Sequence, residues 1–173
     1  MEFPLRTRLA VRWTLRSRLS SPPQRLGTQG HLPDPVMVLL PLEKEYSRVA
    51  RHFLREAGWE RRSRFRLWVA PEARELYPES WTQIQSWTPA DLTRMGLLPK
   101  KILREKVEFA AEALVNLHPR FHPVYCQLVH ACPLPLKVGF QHRHAERLYH
   151  VILTNSRSPV IETGYRQIER LIG

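Results

Sequence analysis

Histidine and cysteine are the residues of this chain whose spacing could support metal binding. His142 and His144 form a His-x-His pair, and Cys126, His130 and Cys132 lie shortly before them. A structural zinc site needs four nitrogen or sulfur ligands, usually supplied as two closely spaced pairs. The two cysteines are too far apart to form such a pair, and the sequence holds no further cysteine. We therefore predict no metal site and no cofactor.

His118 and His122 are four residues apart, a spacing that places two side chains on one face of a helix. Pro119 and Pro123 interrupt this stretch, so a helix cannot hold both histidines on one face. We expect these histidines to have structural or surface roles.

Nucleophilic catalysis is the second chemistry that the sequence could support. Cys126 would need a partner base and a third group to orient that base. Its nearest histidine is His130, but the surrounding segment VYCQLVHA is typical of core packing. The chain also lacks a Gly-x-Ser-x-Gly elbow, a G-x-G-x-x-G fingerprint and a Walker-type loop. We therefore predict that the protein is not an enzyme.

Arginines interleaved with aromatic residues form a candidate binding surface. Arg61, Arg62, Arg64 and Arg66 surround Phe65 and stand between two tryptophans. Guanidinium groups bind phosphates and exposed rings stack on unpaired bases, so such a cluster could bind RNA or another partner. The alternative is a solvated basic face with Trp68 buried. No RNP-type, KH-type or zinc-finger pattern is present.

The N-terminal stretch PLRTRLAVRWTLRSRLSS is the second candidate binding segment. Residues 1–30 contain six arginines and one acidic residue, so they supply +5 of the net charge of +11. The predicted RNA- or partner-binding residues of this segment are Arg6, Arg8, Arg12, Arg16, Arg18 and Arg25. The composition is typical of a mitochondrial transit peptide. On a helical wheel, however, several arginines share the arc of the leucines. We therefore interpret the segment as a retained basic arm that partners surround.

Composition limits the classes of protein that remain. The 173 residues suffice for one domain with an extension. With 27 basic and 16 acidic residues, the chain should be attracted to polyanions such as nucleic acid or an anionic membrane surface. Two cysteines are consistent with a reducing compartment. No apolar run approaches the ~20 residues that span a bilayer, so we do not expect an integral membrane protein.

The elements that position these residues can be predicted in outline. We expect residues 1–35 to form the basic arm and a Pro-rich linker, and residues 36–173 to form a single domain. A strand at 36–40, a helix after Pro41 and an alternating strand near 64–69 indicate a βαβ unit. Helical patterns cover 99–119, 145–152 and 161–172. The predicted fold class is α+β and helix-rich, with a small sheet followed by several helices.

These observations favour a non-catalytic structural subunit of a large mitochondrial assembly. The first hypothesis is a mitochondrial ribosomal protein whose arm contacts rRNA and neighbouring proteins. The alternative is a peripheral accessory subunit of a respiratory-chain complex or ATP synthase, with the arm on acidic subunits or anionic lipid. Either hypothesis places the protein in the matrix or on the matrix face of the inner membrane.

Overall fold

A five-stranded sheet with every strand parallel forms the centre of the protein. The computed structural model describes residues 3–15, 35–56, 65–81, 84–108, 111–154, 164–166 and 168. The strands lie in the order β2-β1-β3-β4-β5. Their bounds are β1 (Val36–Leu39), β2 (Phe65–Trp68), β3 (Ala113–Asn116), β4 (Leu136–Phe140) and β5 (Val151–Leu153).

Helices cover both faces of this sheet. The α-helices are α1 (Leu5–Thr14), α2 (Lys44–Glu56), α3 (Lys100–Val107) and α4 (Pro123–Ala131), and short 3-10 helices span Pro71–Leu76, Pro89–Asp91 and Ala145–Arg147. Phe53 of α2 and Tyr165 of a helical segment at 164–166 pack in the core on one face. Val11 of α1 and Leu128 of α4 pack in the core on the other face, together with half-buried residues of α3.

Burial on both faces explains why the central strands are almost entirely apolar. All four residues of β1 are buried. Val36 and Val38 belong to the core beneath α2, whereas Met37 and Leu39 belong to the core beneath α4. A parallel sheet covered on both sides favours such continuous apolar strands over an alternating pattern.

The predicted helix-rich α+β class is wrong, because the fold is α/β with a parallel sheet. The helical pattern assigned to 99–119 contains two elements: α3 ends at Val107, and Ala113–Asn116 form β3. β3 pairs with both β1 and β4, so it lies in the middle of the sheet. A short apolar run fits the period of a buried strand as well as that of a helix, and periodicity alone does not distinguish them.

Two further sequence predictions concern the strands at the edges of the sheet. The helix expected over 145–152 is a single 3-10 turn followed by the edge strand β5. The Trp68 side chain of β2 is buried, as the second of the two sequence interpretations expected, so its ring is not an exposed stacking surface. Lys106 Nζ lies 5.5 Å from the centroid of this ring. Of the predicted arm and linker, residues 16–34 lie outside the described residues.

Candidate functional site

Four polar segments meet at the carboxyl edge of the sheet. β1 leads into α2 on one face, whereas β3 leads into α4 on the opposite face, so the chain leaves these neighbouring strands in opposite directions. Such a switch point opens a crevice beyond the strand ends, where doubly wound α/β proteins bind ligands. The residues that follow the strands at this edge include Glu43 after β1, Glu72 after β2, His118 and His122 after β3, and His142 after β4.

Glu43 and His118 form the first carboxylate–imidazole pair. Glu43 Oε2 lies 3.3 Å from His118 Nδ1, and Glu43 Oε1 lies 3.5 Å from Arg120 Nη1. The first contact is within ion-pair distance but does not have the geometry of a hydrogen bond. Burial works to raise the pKa of Glu43, but His118 and Arg120 outweigh it and hold that pKa below its usual value. Glu43 is therefore ionised at neutral pH.

Glu72 and His122 form the second pair, at the start of α4. His122 Nδ1 accepts a hydrogen bond from the Tyr125 backbone N–H at 3.4 Å, so His122 is the N-cap of the helix. Its Nε2 lies 3.7 Å from Glu72 Oε1. Burial lowers the pKa of His122, which favours neutral imidazole with the proton on Nε2. The contact with His122 lowers the pKa of Glu72 against the opposing effect of burial.

Tyr125 fixes both pairs to the sheet. Its hydroxyl donates to the Leu40 carbonyl at 2.6 Å and accepts from the Ala70 N–H at 3.2 Å, which links the chain just beyond β1 and β2. The Tyr125 ring makes edge contacts with both imidazoles, at centroid distances of 5.7 Å for His118 and 4.9 Å for His122. A buried ring held at its hydroxyl orients both imidazoles.

A second buried network joins β3 to β4 at the same edge. Asn116 Nδ2 donates to the Tyr149 hydroxyl at 2.6 Å, and Asn116 Oδ1 accepts from the His118 N–H at 3.0 Å. The His142 ring contacts the Tyr149 ring at 5.7 Å. Burial, assisted by the neighbouring His144, lowers the pKa of His142 to about 4. His142 is therefore a neutral hydrogen-bonding group at physiological pH.

A cavity of about 400 Å³ opens beside the second pair. Its walls come from the start of the chain, from the loop after β2 and from the N-terminus of α4. The residues that matter most for its chemistry are Phe3, Arg6, Glu72, Trp87, Arg94 and His122. Glu72 accepts hydrogen bonds, His122 can donate one, and the two guanidiniums attract anions. The arrangement suits a polar molecule with an apolar portion that contacts the rings and prolines of the wall.

The helix α1 closes one side of this cavity. Val11 and Leu15 are buried in the core beside α4. Thr7 Oγ1 donates to the Met95 carbonyl at 2.9 Å, and Arg147 Nη1 donates to the Leu15 carbonyl at 3.4 Å. The N-terminal helix is thus an integral part of the domain surface.

The predicted binding arginines lie in different places. Arg6, Arg8 and Arg12 are exposed on α1, and Arg6 alone among them lines the cavity. Arg66 is half-buried on β2. The remaining predicted positions lie outside the described residues; they are Arg16, Arg18, Arg25, Arg61, Arg62 and Arg64.

The two cysteines lie in the core. Cys126 and Cys132 are buried, and burial raises the pKa of each thiol to about 12. Neither sulfur is activated as a nucleophile, because the thiolate is the reactive form. In the ranges that the structure describes, no group of three or more histidine, cysteine or acidic side chains is placed to hold a metal ion.

Sequence reasoning missed the residues that converge at the carboxyl edge. Glu43 and Glu72 were not predicted as site residues, and His118 and His122 were predicted to have structural or surface roles. The signal that could have identified them is their position directly after strands of a parallel sheet. That signal depends on recognising Ala113–Asn116 as a strand.

Comparison with known proteins adds no assignment. No protein-family model, no curated protein and no solved structure matches the chain. Of the helices that the structure describes, none has the length and apolar character needed to cross a membrane.

Proposed function

We propose that this protein binds a small molecule in the cavity beside Glu72 and His122. The observation that supports the proposal is the convergence of polar side chains, from separate strand ends, on the switch point of a doubly wound sheet. Ligand sites of this fold class lie in that crevice. They combine largely apolar walls with a few convergent polar groups, as here.

The polar groups of the cavity are held in fixed positions by the fold, which favours ligand binding. His122 is both the N-cap of α4 and a wall of the cavity, so its orientation is fixed before any ligand arrives. Tyr125 packs against it from within the core. Binding to a site formed in advance loses less conformational freedom than binding to a mobile loop.

Amide chemical shifts of the full-length protein, recorded against a library of small polar compounds, test the proposal. We expect binders to shift the amides of residues 93–96, His122 and Val124. Thr93→Trp fills the cavity from an exposed position and should abolish these shifts. Glu79→Trp adds the same ring to an exposed turn elsewhere and should leave them intact. Binding that survives Thr93→Trp would contradict the proposal.

A second candidate function is membership of a large mitochondrial assembly, and the outer face of α1 favours it. Leu5, Leu9 and Trp13 are 69%, 50% and 67% exposed and recur every four residues along this face. We call these three residues the apolar strip; Arg6, Arg8 and Arg12 lie beside it. Exposed apolar surface of this kind marks interaction sites. In this proposal the strip and its arginines contact rRNA and proteins of the mitochondrial ribosome, or alternatively a respiratory-complex or ATP-synthase surface.

Sedimentation of tagged protein from mitochondrial extracts tests the second candidate. The wild type should migrate with a large particle, and Leu9→Ser should release it. Met95→Ser is the matched control, because Met95 is 48% exposed and lies outside the strip. A free monomer of ~20 kDa in both extracts and cytosol would contradict the assembly hypothesis.

A further inference from the structure

Two arginines line the cavity from separate segments of the chain. Arg6 projects from α1, and Arg94 belongs to the loop that precedes α3. In the described part of the chain, neither guanidinium has a carboxylate within ion-pair distance. Among the described residues, no carboxylate therefore competes with a bound anion for their hydrogen-bond donors.

One hydrogen bond joins the two segments, and two more hold the turn that contains Arg94. The Thr7 hydroxyl, next to Arg6, donates to the carbonyl of Met95, next to Arg94. The Gly96 N–H donates to the Thr93 carbonyl and the Thr93 N–H donates to the Leu97 carbonyl, each at 2.8 Å. Gly96 has φ +69°, a left-handed conformation that glycine adopts without strain. The turn thus sets where Arg94 stands relative to Arg6.

The remaining charge in the cavity does not neutralise these two cations. Glu72 is the only acidic side chain among the described lining residues, and it faces His122. Among the described lining residues, two arginines and one carboxylate leave an excess positive charge. A phosphate monoester carries roughly −1.5 to −2 charge at pH 7 and offers three acceptor oxygens. Guanidinium forks match that geometry.

We infer that the cavity binds a small organic phosphate, with the phosphoryl group held by Arg6 and Arg94. The organic portion then lies toward Trp87 and the prolines, where Glu72 and His122 are placed to hydrogen-bond a hydroxyl group. This inference rests on the proposed small-molecule function and names its ligand class. It also gives α1 a role within the domain, since the basic arm supplies one of the two phosphate-binding arginines.

Titration calorimetry on the full-length protein tests the inference with three probes: phenyl phosphate, benzoate and phenol. We expect phenyl phosphate to bind most tightly. Arg6→Gln and Arg94→Gln should each weaken its binding roughly tenfold, since a hydrogen bond to a charged group contributes about one such factor. Arg8→Gln is the matched control, because Arg8 is exposed on the same helix but does not line the cavity. That variant should bind phenyl phosphate as the wild type does.

The outcomes separate the two proposals. If benzoate or phenol binds as tightly as phenyl phosphate, and Thr93→Trp abolishes that binding, the small-molecule function stands and the phosphate assignment is overturned. If Arg8→Gln and Arg6→Gln lower the affinity for phenyl phosphate equally, the binding reflects general charge attraction. That result also overturns the phosphate assignment. If none of the probes binds and the library experiment identifies no other ligand, both proposals fail.

Discussion

Gly139 lies directly beneath the ring of Tyr149, so closely that a β-carbon on residue 139 would stand 2.4 Å from Tyr149 Cζ. The absence of a side chain in the middle of β4 is therefore what allows the ring to pack on the strand. Tyr149 in turn accepts a hydrogen bond from Asn116, whose oxygen accepts the His118 N–H. A glycine on β4 thus positions a histidine that follows β3.

Gly139→Ala should destabilise the protein by about 1–3 kcal/mol, the usual cost of overpacking a core. Urea unfolding measures this change. In a Tyr149→Ala background the ring is absent, so adding a methyl group at 139 should cost much less. A double-mutant cycle therefore isolates the contact. An equal loss of unfolding free energy in both backgrounds would show that the strand backbone, and not the Tyr149 ring, requires glycine at this position.

Tyr125→Phe tests how the carboxyl ends of β1 and β2 are held together. The substitution keeps the ring against both imidazoles but removes the hydroxyl shared by Leu40 and Ala70. A buried acceptor and a buried donor each lose a partner, and we expect a loss of about 1–3 kcal/mol in unfolding free energy. Tyr125→Leu, which also removes the ring, should cost more and should shift the His118 and His122 resonances further. Equal effects of the two variants would contradict a separate role for the hydroxyl.

The sequence predicted the first part of the fold well, for a physical reason. In the β1–α2–β2 segment, a proline and a glycine separate the two short strands from a helix with clear periodicity. The second half failed because its strands are short and apolar and directly adjoin helical patterns. Ala113–Asn116 is a strand only because β1 and β4 pair with it on either side. Local periodicity does not contain that long-range information.

The candidate site was less predictable than the fold. Arg6 was identified from charge, because an arginine-rich segment is visible in composition alone. Glu72 and His122 are separated by fifty residues in sequence, and their proximity depends on strand order. The carboxyl edge becomes recognisable as a site only once β3 is placed beside β1.

The pH dependence of stability should reflect His142. Its pKa is about 4 in the folded protein, against an ordinary value of 6.5. Between these values the unfolded chain binds a proton that the folded protein does not, so stability falls as pH drops from 6.5 toward 4. At pH 5 this difference in protonation should lower the free energy of unfolding by about 2 kcal/mol, at 1.36 kcal/mol per pH unit below 6.5.

Urea unfolding at several pH values measures this effect. His142→Gln should reduce the loss of stability between pH 6.5 and 5 relative to the wild type. His52→Gln, at an exposed position on α2, is the matched control. If the two variants reduce this pH-dependent loss of stability equally, or if His142→Gln does not reduce it, the loss does not come from His142.

Both cysteines should be unreactive toward a thiol reagent in the native state. Cys126 and Cys132 are buried, and their thiol pKa values of about 12 leave almost no thiolate at neutral pH. We expect labelling to require unfolding, so that its rate rises with urea along the unfolding transition. Rapid stoichiometric labelling of the native protein would show that α4 opens locally.

The two faces of α1 should respond differently to substitution. Val11 is fully buried against the core beside α4, whereas Trp13, two residues later, is 67% exposed. Val11→Ala removes two buried carbons and should cost about 2 kcal/mol, with faster hydrogen exchange of the α1 amides. Trp13→Ala should leave stability within about 0.5 kcal/mol, as is usual for surface positions.

The same pair of variants separates a partner-binding role of α1 from its role in the domain. If the apolar strip contacts a partner, Trp13→Ala should weaken that association without changing the unfolding midpoint. Val11→Ala should change the midpoint and weaken phenyl phosphate binding, because it loosens the helix that holds Arg6. Loss of stability in Trp13→Ala comparable to that in Val11→Ala would show that the exposed face also belongs to the fold. The partner-binding interpretation of the strip would then have to be abandoned.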